Sequence, residues 1–287
     1  MVALKNLTTM RVGGTPLFYS RPRTTEDLLK TLHFCRDKKM RFKILGGGSN
    51  LLAEDGRLDF GVIHICAPAF NWISTTDRGT IKAGAGVRIS HLLNYAKLHG
   101  LGGLEFLAGI PGTVGGTIAG NAGAQGCSIG DNVRSLSTVS PEGRQETVTA
   151  DELDFSYRHC SLDECIITEA ELKVTPRNPE LIRRQIRKNL LKRQRSQPVS
   201  EPTAGCVFKN PPGEAAGRLL DLCGIKGVTI GGAEISPLHA NFICNVSNAS
   251  SDDIYRLISL MRQKVKENFD IELNLELTCW DEDARVA

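Results

Sequence analysis

The sequence predicts an α+β fold, and three observations lead to it. Amphipathic helical stretches and alternating strand-like stretches are mixed, without the regular βαβα rhythm of a doubly wound sheet. Two glycine clusters, at 46–48 and across 100–126, each lie between apolar strand-like residues. A composition break at Pro176-Arg177-Asn178-Pro179 separates a glycine-rich half from a charged one.

The elements follow in order. Thr24 is placed to cap a helix, with Asp27 three residues on and Leu28, Leu29, Leu32 and Cys35 along one face. Residues 42–45 read as a strand entering the turn Gly46-Gly47-Gly48-Ser49-Asn50. Another strand is expected over 60–65, and Asp77-Arg78-Gly79 reads as a turn between two more. Residues 89–98 form a helical pattern stopped by Gly100. The stretch 100–126 reads as a long glycine loop, 133–148 as a hairpin around Pro141-Glu142-Gly143, and 165–174 as a strand. Beyond the break, 180–195 is a basic amphipathic helix with Ile182, Ile186 and Leu190 on its apolar stripe. A short helix over 215–222 ending at Gly224 and a strand over 240–245 come next. The last helix carries Ile254, Leu257, Ile258, Met261 and Val265, and precedes a final strand holding Glu276.

Bulk properties narrow the function. A chain of 287 residues has room for two or three small domains. Apolar content of 41% and charged content of 23% are ordinary for a soluble globular protein. Net charge of +3 argues against a dedicated nucleic-acid binder. No apolar run approaches the roughly 18 residues of a membrane helix, and the first residues carry no signal-peptide pattern. Nine scattered cysteines, with no CxxC pair and no zinc spacing, read as reduced thiols of a cytoplasmic protein; no metal site is expected.

The segment 100–126 holds ten glycines in 27 residues and almost no polar side chains. Each glycine gives up more backbone freedom on folding than any other residue, so the run is costly unless backbone must pass where side chains would collide. A ligand there would be held by main-chain N–H groups, an arrangement that suits a pyrophosphate and the edge of a flat ring system. The expected tenant is a dinucleotide cofactor. Neither GxGxxG after a strand nor GxxxxGK[ST] is present, so the Rossmann and P-loop signatures do not say which one. Seven of the thirteen residues over 183–195 are Arg or Lys. They read as a solvated helix face, or as a phosphate-attracting rim for a nucleotide substrate or NADPH.

The ordered motifs carry a resemblance. Thr8 to Gly14 (TTMRVGG), LGGGSNLL over 45–52, and GIPGTVGG over 109–116 with Asn121-Ala122-Gly123-Ala124 come first. They continue through Tyr157-Arg158, AGCVFKNP over 204–211, Ala216-Gly217-Arg218-Leu219, Gly224-Ile225-Lys226-Gly227 and His239-Ala240-Asn241-Phe242. In this succession the chain resembles the UDP-N-acetylenolpyruvoylglucosamine reductase family over essentially its whole length. The resemblance implies an FAD-binding fold of the vanillyl-alcohol-oxidase (PCMH) type, made of two α+β subdomains over 1–66 and 67–175. A C-terminal substrate domain over 176–287 follows. It also implies NADPH-dependent, FAD-mediated reduction of UDP-N-acetylglucosamine enolpyruvate to UDP-N-acetylmuramate. That is a step of peptidoglycan precursor synthesis, and through it of cell-wall growth, cell shape and division. The flavin would carry the hydride to C3 of the enolpyruvyl group, while protein supplies orientation, charge and a proton at C2. A cytoplasmic monomer is expected, with no nucleic-acid partner and no membrane insertion.

Residue by residue, the resemblance places Arg158 at the family's arginine near the enolpyruvyl carboxylate. A guanidinium fork suits a carboxylate whose charge spreads as the enolate forms. Cys206 falls where most members have the serine that protonates C2. An ordinary thiol, with a pKa of about 8.5, is a far stronger acid than an alcohol and can still donate to an enolate. Glu276 matches the C-terminal catalytic glutamate, here followed by Leu277-Thr278 where the family often has Val-Arg. Gly46, Gly47, Gly48, Ser49, Asn50 and Leu51 would line the FAD pyrophosphate and flavin. So would Ile110, Pro111, Gly112, Gly115, Gly116, Asn121 and Gly123. Tyr157, Lys209 and Asn210 would contact the substrate. The family's frequent Ala-Tyr-Gly is Ala124-Gln125-Gly126 in this chain. The short interval from Arg158 to Cys206 resembles the lidless, type II subtype, and a solvent-open substrate cleft is expected. The rival readings are another flavin oxidoreductase of the same fold, a nucleotide-binding relative without catalysis, and a nucleic-acid binder built on the 183–195 helix.

Overall fold

The structure, a computed structural model, describes residues 2–162 and 164–280. Its α-helices are α1 (Thr25–Asp37), α2 (Ile89–Leu98), α3 (Val114–Ala119), α4 (Pro179–Ser196), α5 (Ala216–Leu222) and α6 (Ser251–Phe269). The described residues group into two compact units whose segments interleave along the chain. The first unit takes 2–17, 48–59 and 193–280; the second takes 18–47 and 60–192. This grouping follows a different division from boundaries at 66 and 175.

Two larger sheets lie in the second unit. Tyr19–Ser20, Gly61–His64 and Phe42–Leu45 form a parallel three-stranded sheet with Gly61–His64 in the centre. An antiparallel five-stranded sheet runs in the order Gln145–Thr149, Val133–Val139, Ile166–Leu172, Ile81–Gly84, Ile73–Thr75. Helix α1 starts where expected, because Thr24 Oγ1 accepts the Asp27 N–H at 3.0 Å. Its Leu28 and Leu32 join Ile63, Ile81, Leu92, Ile118, Leu136 and Leu172 in one apolar core. Gly79 and Gly143 sit at positive φ in the turns expected of them, and Gly100 does so just past α2.

Two expectations in this unit change. The glycine stretch is not all loop: it contains α3, capped by Thr113, whose Val114 and Ile118 are fully buried. On α4 the buried positions are Ile182 and Asn189, while Leu190 faces outward. Asn189 takes the inner place because its amide donates to the Glu105 carbonyl at 2.7 Å.

In the first unit, Thr229–Ile230, Ala233–Ile235 and Ile243–Asn245 form an antiparallel sheet. Leu219 and Leu220 of α5 share its core with Ile254, Leu257, Ile258 and Met261 of α6. A Ser250–Asp253 capping box opens α6, and Asp270 in the left-handed region closes it. Leu51–Ala53 pairs in parallel with Thr278–Trp280, starting at Leu51 opposite Thr278. Glu276 therefore stands before the final strand rather than in it. The reason is local: its carbonyl accepts from the Asn50 side chain, and the ladder begins only where the Thr278 N–H reaches the Asn50 carbonyl.

Candidate active site

Within the second unit, the two glycine segments are packed against each other. A methyl on Gly46 would stand 2.8 Å from Thr113 Oγ1, and one on Gly47 would stand 2.7 Å from Gly112 Cα. Gly112 itself lies at φ +125°, a conformation that excludes other residues. A methyl on Gly115 would press on Ala85 Cβ at 2.8 Å. Gly116 differs: it is exposed, and a methyl there would meet only Thr113 Oγ1, at an ordinary 3.5 Å. Gly120 likewise would meet only the Gly116 carbonyl, at 3.6 Å. The polypeptide does not itself require glycine at 116 or 120, whereas a group laid on this main chain would. The N–H groups of Val114 and Gly115 already bond the Val87 and Ala85 carbonyls at 2.8 and 2.9 Å. Shape, more than free N–H groups, makes this surface fit a flat or diphosphate-bearing cofactor. Ile110 and Pro111 lead into it; Ile110 is half-buried against the core and Pro111 is exposed.

Asn121 and Gly123 follow α3. Asn121 is buried at φ +37° and spends its amide on the protein: Nδ2 donates to the Ser156 carbonyl at 2.8 Å, and Oδ1 accepts the Gly130 N–H at 3.1 Å. It holds the hairpin of Phe155–Ser156 and His159–Cys160, whose two-residue tip is Tyr157-Arg158. Arg158 stands at φ +58°, a left-handed conformation costing an arginine about 1 kcal/mol. Its guanidinium lies 5.1 Å from the centroid of the exposed Tyr157 ring. Gln125, where the family often has tyrosine, donates to Asn189 Oδ1 at 3.1 Å and so ties the glycine segment to α4.

Beneath Gly46 lies a polar group the sequence reading missed. Tyr19 Oη and His64 Nδ1 are 2.7 Å apart, and His64 also hydrogen-bonds the Gly46 main chain. Burial, and then the Arg21 charge, push the imidazole down to about 4, against the opposing pull of the Gly46 bond. Burial chiefly raises Tyr19. Both side chains are therefore neutral near pH 7. A histidine ending an apolar strand was the available signal.

In the first unit, Gly48 lies at φ +61°, and a methyl there would run into the Leu7 carbonyl. Ser49 is half-buried, Asn50 exposed and Leu51 buried. Cys206 begins an extended run held from both sides. It bridges to Phe242, and Phe208 bridges to Leu275. The Glu276 N–H donates to the Val207 carbonyl at 2.8 Å, and the Lys209 N–H to the Asn274 carbonyl at 2.9 Å. Asn241, buried and not foreseen as a site residue, clamps the same run. Its Oδ1 accepts the Phe208 N–H at 3.0 Å and its Nδ2 donates to the Phe208 carbonyl at 2.9 Å. An asparagine inside an apolar strand was the signal for it. The structure thus brings Cys206, Lys209 and Glu276 onto neighbouring hydrogen-bonded segments, all three half-buried. Asn210 spends its Oδ1 on the Ala216 N–H at the start of α5. His239 packs on Gly217, where a methyl would stand 2.7 Å from the ring. Burial, then Lys226, lowers its pKa, and Nδ1 accepts the Asn241 N–H at 3.2 Å. Arg158 and Tyr157 belong to the other unit.

With this geometry in hand, comparison with known proteins is decisive. Residues 197–280 match the family described as UDP-N-acetylenolpyruvoylglucosamine reductase, C-terminal domain, and residues 16–149 match the FAD binding domain. The UDP-N-acetylenolpyruvoylglucosamine reductase of Moorella thermoacetica is 41% identical over 281 residues, covering 97% of this chain and 92% of the relative. The chain belongs to the UDP-N-acetylenolpyruvoylglucosamine reductase family. The reductase of Desulforamulus reducens is 37% identical over 98% of this chain and 92% of its own length. The crystal structure of UDP-N-acetylenolpyruvylglucosamine reductase from Thermus caldophilus superposes with a TM-score of 0.84 at 34% identity, covering 98% of both chains. The α+β, FAD-binding architecture expected from the sequence is the one found.

Proposed function

We propose that this chain reduces UDP-N-acetylglucosamine enolpyruvate to UDP-N-acetylmuramate in peptidoglycan synthesis, with FAD bound and NADPH as hydride donor. The observation that carries the reading is the family match along the whole chain, from the glycine turn at 46–48 to the segment before residue 280. When bound, FAD would supply the redox chemistry, hydride transfer from NADPH to C3 of the enolpyruvyl group.

The chain's own residues do the rest. Gly46, Gly47, Gly112, Gly115 and Gly116 in the second unit, and Gly48 to Leu51 in the first, would hold the cofactor. Arg158 neutralises the substrate carboxylate as negative charge develops from C2 onto it. Cys206 gives its thiol proton to C2, so that one hydride and one proton add across the double bond and a thiolate remains to be reprotonated. Glu276 stabilises the enol beside it or returns a proton. Tyr157, Lys209 and Asn210 orient the sugar and diphosphate, with α4 as an electropositive rim. His159–Cys160, Ile166–Leu172, Thr175–Pro176 and α4 take up most of the interval from Arg158 to Cys206, which supports the lidless subtype. No helix among the described residues is long and apolar enough to cross a membrane. The same reading puts the enzyme in the cytoplasm as a monomer.

The test is an anaerobic spectrum. Holoenzyme is bleached with NADPH and mixed with UDP-N-acetylglucosamine enolpyruvate. Rapid return of the oxidised flavin spectrum with UDP-N-acetylmuramate as product is expected. Bleaching without reoxidation would keep the flavoprotein and exclude this substrate.

A further inference from the structure

We infer that Asn50 is a positioning residue for Glu276, a role that rests on reading Glu276 as a catalytic group that acts beside Cys206. Asn50 closes the glycine turn expected to hold the cofactor, yet its Nδ2 donates to the Glu276 main-chain carbonyl at 2.9 Å, across 226 residues of sequence. The same residue's carbonyl accepts the Thr278 N–H at 3.0 Å. On its other side, Glu276 gives its own N–H to Val207 at 2.8 Å. Both main-chain polar groups of Glu276 are therefore fixed: one by the run that carries Cys206, the other by the turn at 48–50.

Position in the ladder explains why a side chain is needed. The parallel pairing of Leu51–Ala53 with Thr278–Trp280 begins at Leu51 opposite Thr278, two residues past Glu276. At the Glu276 carbonyl, ahead of that pairing, the Asn50 amide stands in as a peptide N–H would. The turn that aims this amide is closely packed, because Gly48 sits at φ +61° where a methyl would run into the Leu7 carbonyl. Asn50 is exposed, so without it water would satisfy the carbonyl and the fold would survive. What would be lost is the fixed backbone from which the Glu276 carboxylate projects. Misplacement of a reacting group by about 1 Å can cost a hundredfold in rate.

Three variants test this in the holoenzyme: N50A, N50D and E276Q, with the double variant N50A/E276Q. The quantities measured are bound FAD, the rate of bleaching by NADPH, and the rate of reoxidation by UDP-N-acetylglucosamine enolpyruvate. The expected result is reoxidation per bound flavin slowed about 10–100-fold in N50A, with bleaching per bound flavin slowed far less. N50D preserves shape but cannot donate to a carbonyl, and should be slowed at least as much. In the E276Q background, N50A should add less than about twofold, since a positioning residue has nothing further to lose. Reoxidation at the wild-type rate in N50A or N50D would overturn the proposal. So would an equal N50A effect in both backgrounds, or bleaching per bound flavin slowed as much as reoxidation. If E276Q itself reoxidises normally, the reading of Glu276 falls first and takes this inference with it. If E276Q is slow and N50A is not, only the inference falls.

Discussion

A methyl group added at Gly47 and one added at Gly116 should have opposite consequences, although both positions are expected to line the cofactor. At Gly47 the methyl would stand 2.7 Å from Gly112 Cα, 3.2 Å from Gly112 C and 3.3 Å from Thr113 N. Carbon atoms pack comfortably at about 3.5–4.0 Å, so the closest contact is short by about 1 Å. All three neighbours are main chain, and no side chain can swing aside to relieve it. Overpacking of a tight site costs about 1–3 kcal/mol, and the upper end applies when backbone must move. A loss of ~3 kcal/mol lowers Tm by about 6–12 °C in a unit of this size. At Gly116 the nearest neighbour is Thr113 Oγ1 at 3.5 Å, and the residue is helical within α3. Alanine there gains up to about 1 kcal/mol of helix propensity and makes only that ordinary contact.

The assay follows from that contrast. Thermal melts of the flavin-free proteins should show G47A well below wild type, and G116A at or slightly above it. Titration with FAD, followed by quenching of flavin fluorescence, should then show at least tenfold weaker binding for both. In G47A the cradle is distorted; in G116A it is sound but obstructed. A flavin-free G47A melting within about 2 °C of wild type would refute the packing argument. Wild-type affinity for FAD in G116A would refute the claim that this glycine is kept for a ligand.

Other consequences are simpler to state. C206A should reoxidise about 10²–10⁴-fold more slowly with substrate, while C206S, restoring the usual family side chain, should recover most of the rate. Iodoacetamide should inactivate wild type and leave C206S active; survival of wild type after complete alkylation of Cys206 would remove the thiol from the mechanism. R158G should melt no lower than wild type, because glycine relaxes the φ of +58°, yet lose about 10²–10³ in kcat/KM through loss of the guanidinium. A large drop in Tm with kcat/KM retained would reverse that assignment. His64 stays neutral in the folded protein down to about pH 4, whereas the unfolded chain takes up its proton near 6.5. Its contribution is thus whole above about pH 6.5 and is lost as pH falls towards 4, where the unfolded state binds more protons. Partial exposure screens the ring, so about 1–2 kcal/mol of the full ~3 kcal/mol is expected to go. Urea titrations at pH 7 and 4.5 should show that extra loss in wild type and not in H64Q.

Much of the architecture could be read from local patterns. Thr24 with Asp27 announced α1, Gly100 marked the end of α2, and Pro141-Glu142-Gly143 fixed the hairpin, because each signal acts within a turn of chain. Helix α3 escaped notice because it is six residues long and carries two glycines, too short and too poor in propensity to show a period. It forms because Thr113 caps it and the core takes Val114 and Ile118. Interleaving was hidden for another reason. Residues 48–59 join the first unit through pairings such as Leu51 with Thr278, and nothing in the composition break at 176–179 announces a partner more than two hundred residues away. The proposed site residues were legible only through the family's motif order, since Arg158, Cys206 and Glu276 carry no mutual spacing.

What the motifs could not reveal is how those three residues are held, and here one device recurs. Each lies within two residues of a main-chain group clamped by an asparagine amide from elsewhere in its own unit. Asn121 donates to the Ser156 carbonyl, two residues before Arg158. Asn241 bonds both the N–H and the carbonyl of Phe208, two residues after Cys206. Asn50 donates to the Glu276 carbonyl itself. Asparagine suits this task because its side chain repeats the donor and acceptor of a peptide group without belonging to the ladder. Reacting side chains must project from chain that leaves the regular sheets, and such chain exposes polar groups that no strand satisfies. An aspartate at any of the three positions would keep the shape but lose the donor, setting oxygen against oxygen. Glycine packing thus shapes the surface proposed for the cofactor, while asparagine amides stiffen the irregular segments on which the three proposed catalytic side chains stand.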